Sequence, residues 1–157
     1  MEVADVLNRV LFVCLGNICR SPLAEAAFRH QADAAGLSFE ADSAGTAHWH
    51  IGKQPDPRSQ QIAAQFGVDI SGQRARQVME EDFRRFTHIF AMDHENLEVL
   101  QSRAPMDMTA ELSLLLDLVP GREGEAVGDP YYGGEKGFAV TWRDVWEAAN
   151  HLVGRMV

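Results

Sequence analysis

The stretch Val10-Leu11-Phe12-Val13-Cys14-Leu15-Gly16-Asn17-Ile18-Cys19-Arg20-Ser21-Pro22 contains the transitions that decide the fold. Its first four residues are β-branched, aliphatic or aromatic, which is typical of a buried strand. Ser21 and Pro22 are types preferred at an N-cap and at the first helical position, so we predict a helix from Leu23 to Ala35 that Gly36 ends. A strand, a tight loop and a helix N-terminus in succession predict an anion site in the loop.

The loop from Leu15 to Arg20 has the composition of a phosphate-binding turn. It contains no proline, so six successive backbone N–H groups are free to face one anion. Gly16 and Asn17 both tolerate the left-handed backbone angles that such a curl needs. Arg20 can donate a bidentate pair of hydrogen bonds to phosphate oxygens, and the helix dipole points its positive end at the same place.

Cys14 lies where the strand gives way to this loop, and two interpretations of it are open. Many buried cysteines are structural thiols that pack like small apolar side chains. The loop amides, the helix N-terminus and Arg20 instead form a positive environment that favours a thiolate, the nucleophilic form of cysteine. A thiolate beside a phosphate-binding loop predicts nucleophilic attack on phosphorus.

Composition limits the domain count, the compartment and the partners. At 157 residues and 46% hydrophobic residues, residues 1–157 are expected to form a single domain with a full core. The net charge of −9 argues against nucleic acid and predicts slow capture of strongly acidic peptides. The short apolar run Val10 to Val13 fits neither a signal peptide nor a membrane span. Two cysteines, both near the loop, are not an extracellular disulfide framework, which favours a reducing cytoplasm.

Strand-like and helix-like segments alternate along the chain, which predicts an α/β fold. We expect a single domain with a four-stranded parallel sheet flanked by helices on both faces, and with the active-site loop between strand one and helix one. The predicted strands are residues 9–14, 39–43, 88–92 and 112–116. The predicted later helices are residues 58–66, 80–86, 95–101 and a C-terminal helix whose apolar stripe runs from Phe138 to Val153. The long irregular stretches, residues 44–57 and 119–136, are candidate functional loops.

Cys14 to Ser21, followed by Pro22-Leu23-Ala24-Glu25, resembles the phosphate loop of the low-molecular-weight protein tyrosine phosphatases. Further matching segments follow in family order: Asp42-Ser43-Ala44-Gly45-Thr46, the loop from Trp49 to Arg58, Arg74-Ala75-Arg76-Gln77, Ala91-Met92-Asp93 and Asp129-Pro130-Tyr131-Tyr132-Gly133. The resemblance implies a metal-independent enzyme without a cofactor that hydrolyses phosphotyrosine and aryl phosphate monoesters through a phosphocysteine. It also implies phosphotyrosine proteins or peptides as substrates, with a bacterial tyrosine kinase as a candidate partner.

The resemblance assigns roles to individual residues. Cys14 is the expected nucleophile, Arg20 the phosphate-binding cation, and Asp129 the acid that protonates the leaving phenolate and then acts as a base. We expect Ser21 to cap the helix and also to donate its hydroxyl to the Cys14 sulfur. Asn17 is either a turn residue or a brace for the loop.

Other candidate substrate-binding residues surround this group, and they are Leu15, Gly16, Ile18, Cys19, Trp49, Tyr131 and Tyr132. The aromatic ones either wall a cleft, where they would stack on a phenyl ring, or lie on the surface. Leu15 and Ile18 either line the floor of the cleft or pack in the core. His48 and His50 have no carboxylate or thiol partner nearby in the sequence, so we expect no metal site there.

Three further residues are interpreted as structural: Asp93, and Arg74 and Arg76, which we expect in ion pairs. At position 73 the chain departs from the family pattern, because many relatives have a histidine where this chain has Gln73. That histidine is held to join the network that braces the phosphate loop through its asparagine. Glutamine donates and accepts hydrogen bonds, so we expect Gln73 to preserve the brace.

Two other functions are compatible with the loop. Thiol-dependent arsenate reductases share the loop and the fold, but those that resolve the oxidised enzyme internally need further cysteines, and none follows Cys19. The non-catalytic alternative is a phosphopeptide-binding module or a redox sensor. A reversible Cys14–Cys19 disulfide could also coexist with catalysis, because the two residues are close on a curled loop.

Overall fold

The computed structural model describes residues 7–130 and 134–157, without the side chain of Glu135. Four strands form one parallel sheet in the order β2-β1-β3-β4; they are β1 (Asn8–Cys14), β2 (Phe39–Gly45), β3 (His88–Ala91) and β4 (Glu111–Leu114). In this register Val10 lies opposite Ala41 on one side and His88 on the other. The predicted four-stranded parallel sheet is confirmed.

Helices cover both faces of the sheet, as expected. The helices of the described residues are α1 (Arg20–Ala34), α2 (Pro57–Gln65), α3 (Asp82–Arg85), α4 (His94–Arg103) and α5 (Gly134–Met156), with a 3-10 turn at Leu115–Leu118. Buried residues of α1, α2 and α5 share one apolar cluster, and those of α3 and α4 share the other. Over residues 7–130 and 134–157, no helix has the length and apolar character to span a bilayer.

Strand β1 joins the two apolar clusters because successive side chains of a strand point to opposite faces. Val10 and Phe12 pack under α1, α2 and α5, whereas Leu11 and Val13 pack under α3 and α4. The chain leaves β1 towards β2 on one side, and β3 lies on the other side. Such a reversal of strand order opens a crevice at the carboxyl ends of the strands, which is where ligands bind in open α/β sheets. The Cys14 loop begins at this crevice.

Helix α1 starts three residues before the predicted position, and strand β4 ends two residues before the predicted one. Helix α1 begins at Arg20, because the chain enters it directly from the loop with Cys19 at the N-cap. Strand β4 ends at Leu114, since the next residues wind into the 3-10 turn, where the Asp117 carboxylate accepts a hydrogen bond from the Leu114 amide at 3.3 Å. Gly36, with a φ of 72°, ends α1 as predicted.

Candidate active site

The β1–α1 loop curls around the Cys14 side chain. Its backbone carbonyls accept hydrogen bonds from the amides of residues 46, 47 and 56, which lie outside the loop. The Asn17 amide points inward and donates to Cys14 Sγ at 3.3 Å. Asn17, with a φ of 59°, adopts the left-handed conformation that the loop was expected to need, whereas Gly16 does not.

The Asn17 side chain ties the loop to three neighbouring segments. Its Nδ2 donates to Ser21 Oγ and to Ser43 Oγ, both at 2.9 Å, and its Oδ1 accepts from the Arg76 backbone amide at 2.9 Å. Only 3% of Asn17 is exposed, so water does not compete with these bonds. Asn17 is therefore both the turn residue and the brace.

Ser21 lies inside α1, so the expectation that it caps the helix is wrong. The helix starts one residue earlier, and its N-cap residue Cys19 makes no side-chain capping bond. The Ser21 hydroxyl instead lies 3.0 Å from Cys14 Sγ, with a longer contact of 3.5 Å to the Ala44 carbonyl. Because Ser21 Oγ already accepts from Asn17, its own proton is available to the sulfur.

Gly45, the last residue of β2, lets the loop lie against the sheet. A Cβ atom there would come within 2.7 Å of the Leu15 carbonyl oxygen, 3.1 Å of Gly16 C and 3.2 Å of Asn17 N. All three are backbone atoms, so a side chain could enter only by moving the loop. Sequence reasoning missed this close approach, for which a glycine at the end of a strand was the available signal.

The Arg20 guanidinium is buried and held in one orientation. Its Nη1 donates to Asp93 Oδ2 at 2.7 Å and to the Val127 carbonyl at 3.0 Å, and its Nη2 lies 3.7 Å from Asp129 Oδ2. Burial by itself lowers the pKa of Arg20, but the negative charges of Cys14, Asp93 and Asp129 outweigh burial and raise it. Arg20 therefore remains a cation where an anion would bind.

Asp93 connects Arg20 to helix α4. One carboxylate oxygen holds Arg20, while the other accepts from the Asn96 amide at 2.8 Å and caps α4. Asp93 therefore has the structural role that was expected, because it orients the Arg20 side chain and caps α4. The sequence signal was an aspartate directly after a strand, at the same edge of the sheet as Cys14.

A pocket of about 200 Å³ opens at this edge, and its lining residues are Cys14, Leu15, Gly16, Ile18, Cys19, Arg20, Trp49, His50 and Asp129. Trp49, 62% exposed, stands at the mouth, so it is a wall of the cleft as well as a surface residue. Leu15 also lines the pocket, and Ile18 both lines it and packs against the core. Tyr131 and Tyr132 lie outside the described residues. His50 was not among the predicted lining residues.

Among the described residues, His48 and His50 form no metal site with a neighbour. Over the ranges 7–130 and 134–157, no cluster of histidine, cysteine, aspartate and glutamate side chains could hold a metal ion. The His50 ring instead packs over the phosphate loop, with its Cδ2 2.9 Å from the position that a Cβ of Gly16 would occupy. The absence of a side chain at Gly16 therefore leaves room for the His50 ring beside the pocket.

Cys19 lies beside the pocket as a free, buried thiol. Burial is the main cause that raises the pKa of Cys19 to about 12, and the charges of Asp56, Cys14 and Asp129 add to it. At neutral pH Cys19 is therefore protonated and is not a competing nucleophile.

Gln73 does not take part in the brace, so the expectation for this position is wrong. Its Nε2 donates to the Pro22 carbonyl at 3.2 Å, and its buried Oε1 has no partner in the described parts of the chain. Asn17 Oδ1 instead accepts a hydrogen bond from the Arg76 backbone amide. The brace is thus completed by the backbone.

The two arginines of the Arg74-Ala75-Arg76-Gln77 segment behave differently. Arg76 forms ion pairs with Asp42 at 3.0 Å and Asp82 at 2.9 Å, as predicted. Arg74 was expected to be ion-paired as well, but it pairs with no described carboxylate. Its Nη1 donates to the backbone carbonyls of Ser71 and Gln73.

Comparison with known proteins identifies the family. The family model described as low molecular weight phosphotyrosine protein phosphatase matches residues 9–156. The low molecular weight protein-tyrosine-phosphatase YfkJ of Bacillus subtilis is 49% identical over 127 residues, which cover 80% of this chain and 81% of YfkJ. The low molecular weight phosphotyrosine protein phosphatase of Schizosaccharomyces pombe is 44% identical over 133 residues, or 83% of this chain and 85% of that protein.

Solved structures agree with the sequence comparison. The crystal structure of YfkJ has a TM-score of 0.90 with this chain at 41% identity, covering 98% of this chain and 97% of YfkJ. A protein tyrosine phosphatase of Entamoeba histolytica has a TM-score of 0.89 at 36% identity, covering 95% of this chain and 96% of that one. Sequence match and fold together show that this chain belongs to the low molecular weight phosphotyrosine protein phosphatase family of phosphoric monoester hydrolases.

Proposed function

We propose that this protein is a metal-independent protein tyrosine phosphatase that hydrolyses phosphotyrosine and aryl phosphate monoesters through a phosphocysteine intermediate. One observation carries the proposal: a single pocket brings together Cys14, Arg20 and Asp129, which lie in distant parts of the sequence. Family membership supports the same class of reaction.

In the first step Cys14 Sγ attacks phosphorus in line with the leaving phenolate oxygen. The Asn17 amide and the Ser21 hydroxyl both reach the sulfur, so they fix its position and stabilise negative charge on it. Arg20 and the loop amides bind the remaining phosphate oxygens, which carry most of the charge in the transition state. Asp93 and Val127 keep Arg20 in the required orientation.

Asp129 supplies the proton and later removes one. As an acid it protonates the departing phenolate, and as a base it activates the water that hydrolyses the phosphocysteine. Its side chain is 44% exposed and 3.7 Å from Arg20, so it can reach both the substrate and incoming water. A positioned acid of this kind contributes about 10²–10⁴-fold to the rate.

The walls of the pocket favour an aryl ester over a small alkyl ester. Trp49 at the mouth and the apolar side chains of Leu15 and Ile18 can contact a phenyl ring whose phosphate lies in the loop. Tyr131 and Tyr132 are proposed as further walls. The substrates would then be phosphotyrosine proteins, with a bacterial tyrosine kinase among them, and the cytoplasm would be the compartment of the reaction.

The test uses two substrates with different leaving groups, p-nitrophenyl phosphate and phosphotyrosine, in excess chelator. Cys14→Ser should abolish turnover of both, and retained turnover would remove Cys14 from the mechanism. Asp129→Asn should lower kcat/KM for phosphotyrosine by about 10²–10⁴-fold and kcat/KM for p-nitrophenyl phosphate far less, because nitrophenolate leaves without a proton. The ratio kcat/KM reports the step in which the phenolate leaves and not the later hydrolysis that both substrates share. Asp69→Asn, at an exposed carboxylate that accepts a hydrogen bond from the Ser71 amide, is the matched control and should change neither value. An equal loss of kcat/KM for both substrates in Asp129→Asn would exclude Asp129 as the acid.

A further inference from the structure

The positive charges of this acidic chain are unevenly distributed. Eight of the 14 lysines and arginines form ion pairs within the described ranges. The other six are Lys53, Arg74, Arg103, Lys136, Arg143 and Arg155. Three of these six border the loop of residues 46–54, which carries Trp49 to the mouth of the pocket. We call Lys53, Arg74 and Arg103 the cationic rim.

Backbone hydrogen bonds place two members of the cationic rim side by side. The Gly52 amide donates to the Ala75 carbonyl, and the Ala75 amide donates to the Lys53 carbonyl, both at 2.8 Å. Arg74 directly precedes Ala75 in the chain and therefore lies beside Lys53, and both side chains are exposed. Neither has a described carboxylate within ion-pair distance.

The third member of the cationic rim lies at the start of the same loop. Arg103, at the end of α4, donates from Nη1 to the Thr46 carbonyl at 2.9 Å. The loop between these points carries His48 and His50, and neither histidine pairs with a carboxylate of the described residues.

Several carboxylates of the neighbouring segments and of the pocket already face arginines. Asp56 is paired with Arg58 at 2.9 Å, and Arg58 holds the pKa of that carboxyl below its usual value. Asp42 is paired with Arg76. The carboxylates in the pocket, Asp93 and Asp129, face Arg20 instead.

We propose that the cationic rim docks an acidic segment of the polypeptide that carries the phosphorylated residue. The proposal rests on the function proposed above and specifies its substrate class. Charge complementarity selects the occupant, because an acidic segment meets three cations here, none of which pairs with a carboxylate of the described residues. Trp49 and Ile51, 62% and 58% exposed, add apolar surface to the same loop. The net charge of −9 predicts slow capture of acidic peptides, but the local field at the mouth governs the last steps of approach.

The experiment compares phosphotyrosine peptides that differ only in four flanking residues, which are acidic, neutral or basic. With wild-type protein at low salt, kcat/KM should be about five- to tenfold higher for the acidic peptide than for the neutral one, and the difference should shrink in concentrated salt. Reversal of two rim charges in Lys53→Glu/Arg74→Glu should lower kcat/KM for the acidic peptide about tenfold. Hydrolysis of p-nitrophenyl phosphate, which does not reach the rim, should change less than about twofold.

The matched control reverses two other unpaired arginines, in Arg143→Glu/Arg155→Glu. Both residues are exposed on α5, and the change in net charge is the same. An equal loss in the two double variants, or equal kcat/KM for all three peptides with wild-type protein, would overturn the docking proposal. If the Arg74 change disturbs folding, Lys53→Glu alone should still lower kcat/KM for the acidic peptide about threefold. Absence of p-nitrophenyl phosphate hydrolysis by wild-type protein would refute the proposed function instead.

Discussion

Gly45→Ala tests how strongly catalysis depends on the position of the Cys14 loop against strand β2. The added Cβ would lie 2.7 Å from the Leu15 carbonyl oxygen and little more than 3 Å from the Gly16 and Asn17 backbone. Ordinary carbon–oxygen contacts are longer by more than half an ångström, so the loop must retreat by a comparable distance. Gly45 cannot retreat instead, because its amide and carbonyl are both bonded to the segment of residues 76–78.

Two magnitudes follow from this displacement. Overpacking of a well-filled site lowers the free energy of unfolding by about 1–3 kcal/mol. A shift approaching 1 Å at a catalytic constellation lowers the rate by about 10²-fold, so the half-ångström shift should lower kcat/KM for p-nitrophenyl phosphate by about 10- to 100-fold. The inhibition constant of inorganic phosphate should rise as well, since the same amides bind it.

The assay measures kcat/KM, phosphate inhibition and urea unfolding for Gly45→Ala beside Gly72→Ala. The control introduces the same methyl group where no atom lies within 4 Å, so it shares the change in backbone entropy but not the contact. Gly72→Ala should retain wild-type kinetics. If Gly45→Ala also retained wild-type kinetics and phosphate affinity, the close approach would not position the loop.

Three further changes test the surroundings of the loop. Asn17→Ala should lower the free energy of unfolding by about 2–5 kcal/mol in urea titrations, because it removes three hydrogen bonds. It also places alanine, which has no polar side chain to stabilise it there, in the left-handed region. Asn17→Gly loses the same hydrogen bonds but tolerates that φ, so its loss of stability should be smaller. Burial raises the pKa of Glu25 above 4.5 despite its 2.8 Å ion pair with Arg29. The free energy of unfolding should therefore fall as the pH rises from 4.5 through the folded-state pKa of Glu25. Glu25→Gln should flatten that part of a curve of unfolding free energy against pH. Peroxide should oxidise the Cys14 thiol to a sulfenic acid with release of water, after which the Cys19 thiol condenses with it, releasing a second water and forming a disulfide. Because the pKa of Cys19 is about 12, this capture should accelerate from pH 7 to pH 9 in thiol-recovery assays, and recovery of Cys19→Ser equal to wild type would contradict the protective role.

Local sequence predicted the sheet and the phosphate loop because both depend on near neighbours in the chain. The apolar run of β1, the left-handed turn at Asn17 and the stop at Gly36 are each encoded within a few residues. The family motif located Asp129, which composition alone could not have chosen among many carboxylates. Asp129 does line the pocket with Cys14.

The errors arose where contacts between distant segments decided the outcome. Ser21 has the composition of an N-cap, but the neighbouring Cys14 sulfur and Asn17 amide give its hydroxyl other partners. The family resemblance placed Gln73 in the brace, yet Asn17 Oδ1 accepts its hydrogen bond from the Arg76 backbone amide. Close packing at Gly45 depends on how β2 lies beside the loop, and a glycine at the end of the strand was its only local signal.

The uncapped start of α1 has a consequence for how the protein handles its ligand. The first amides of any helix lack partners within it, and Cys19 offers no side-chain oxygen to satisfy them. An oxyanion bound in the proposed site would accept hydrogen bonds from these amides, so the same contacts would serve both folding and recognition. A serine or aspartate at position 19 would offer its own side-chain oxygen to the amides and would compete with the substrate for them. With cysteine at this position, a bound oxyanion should raise the free energy of unfolding.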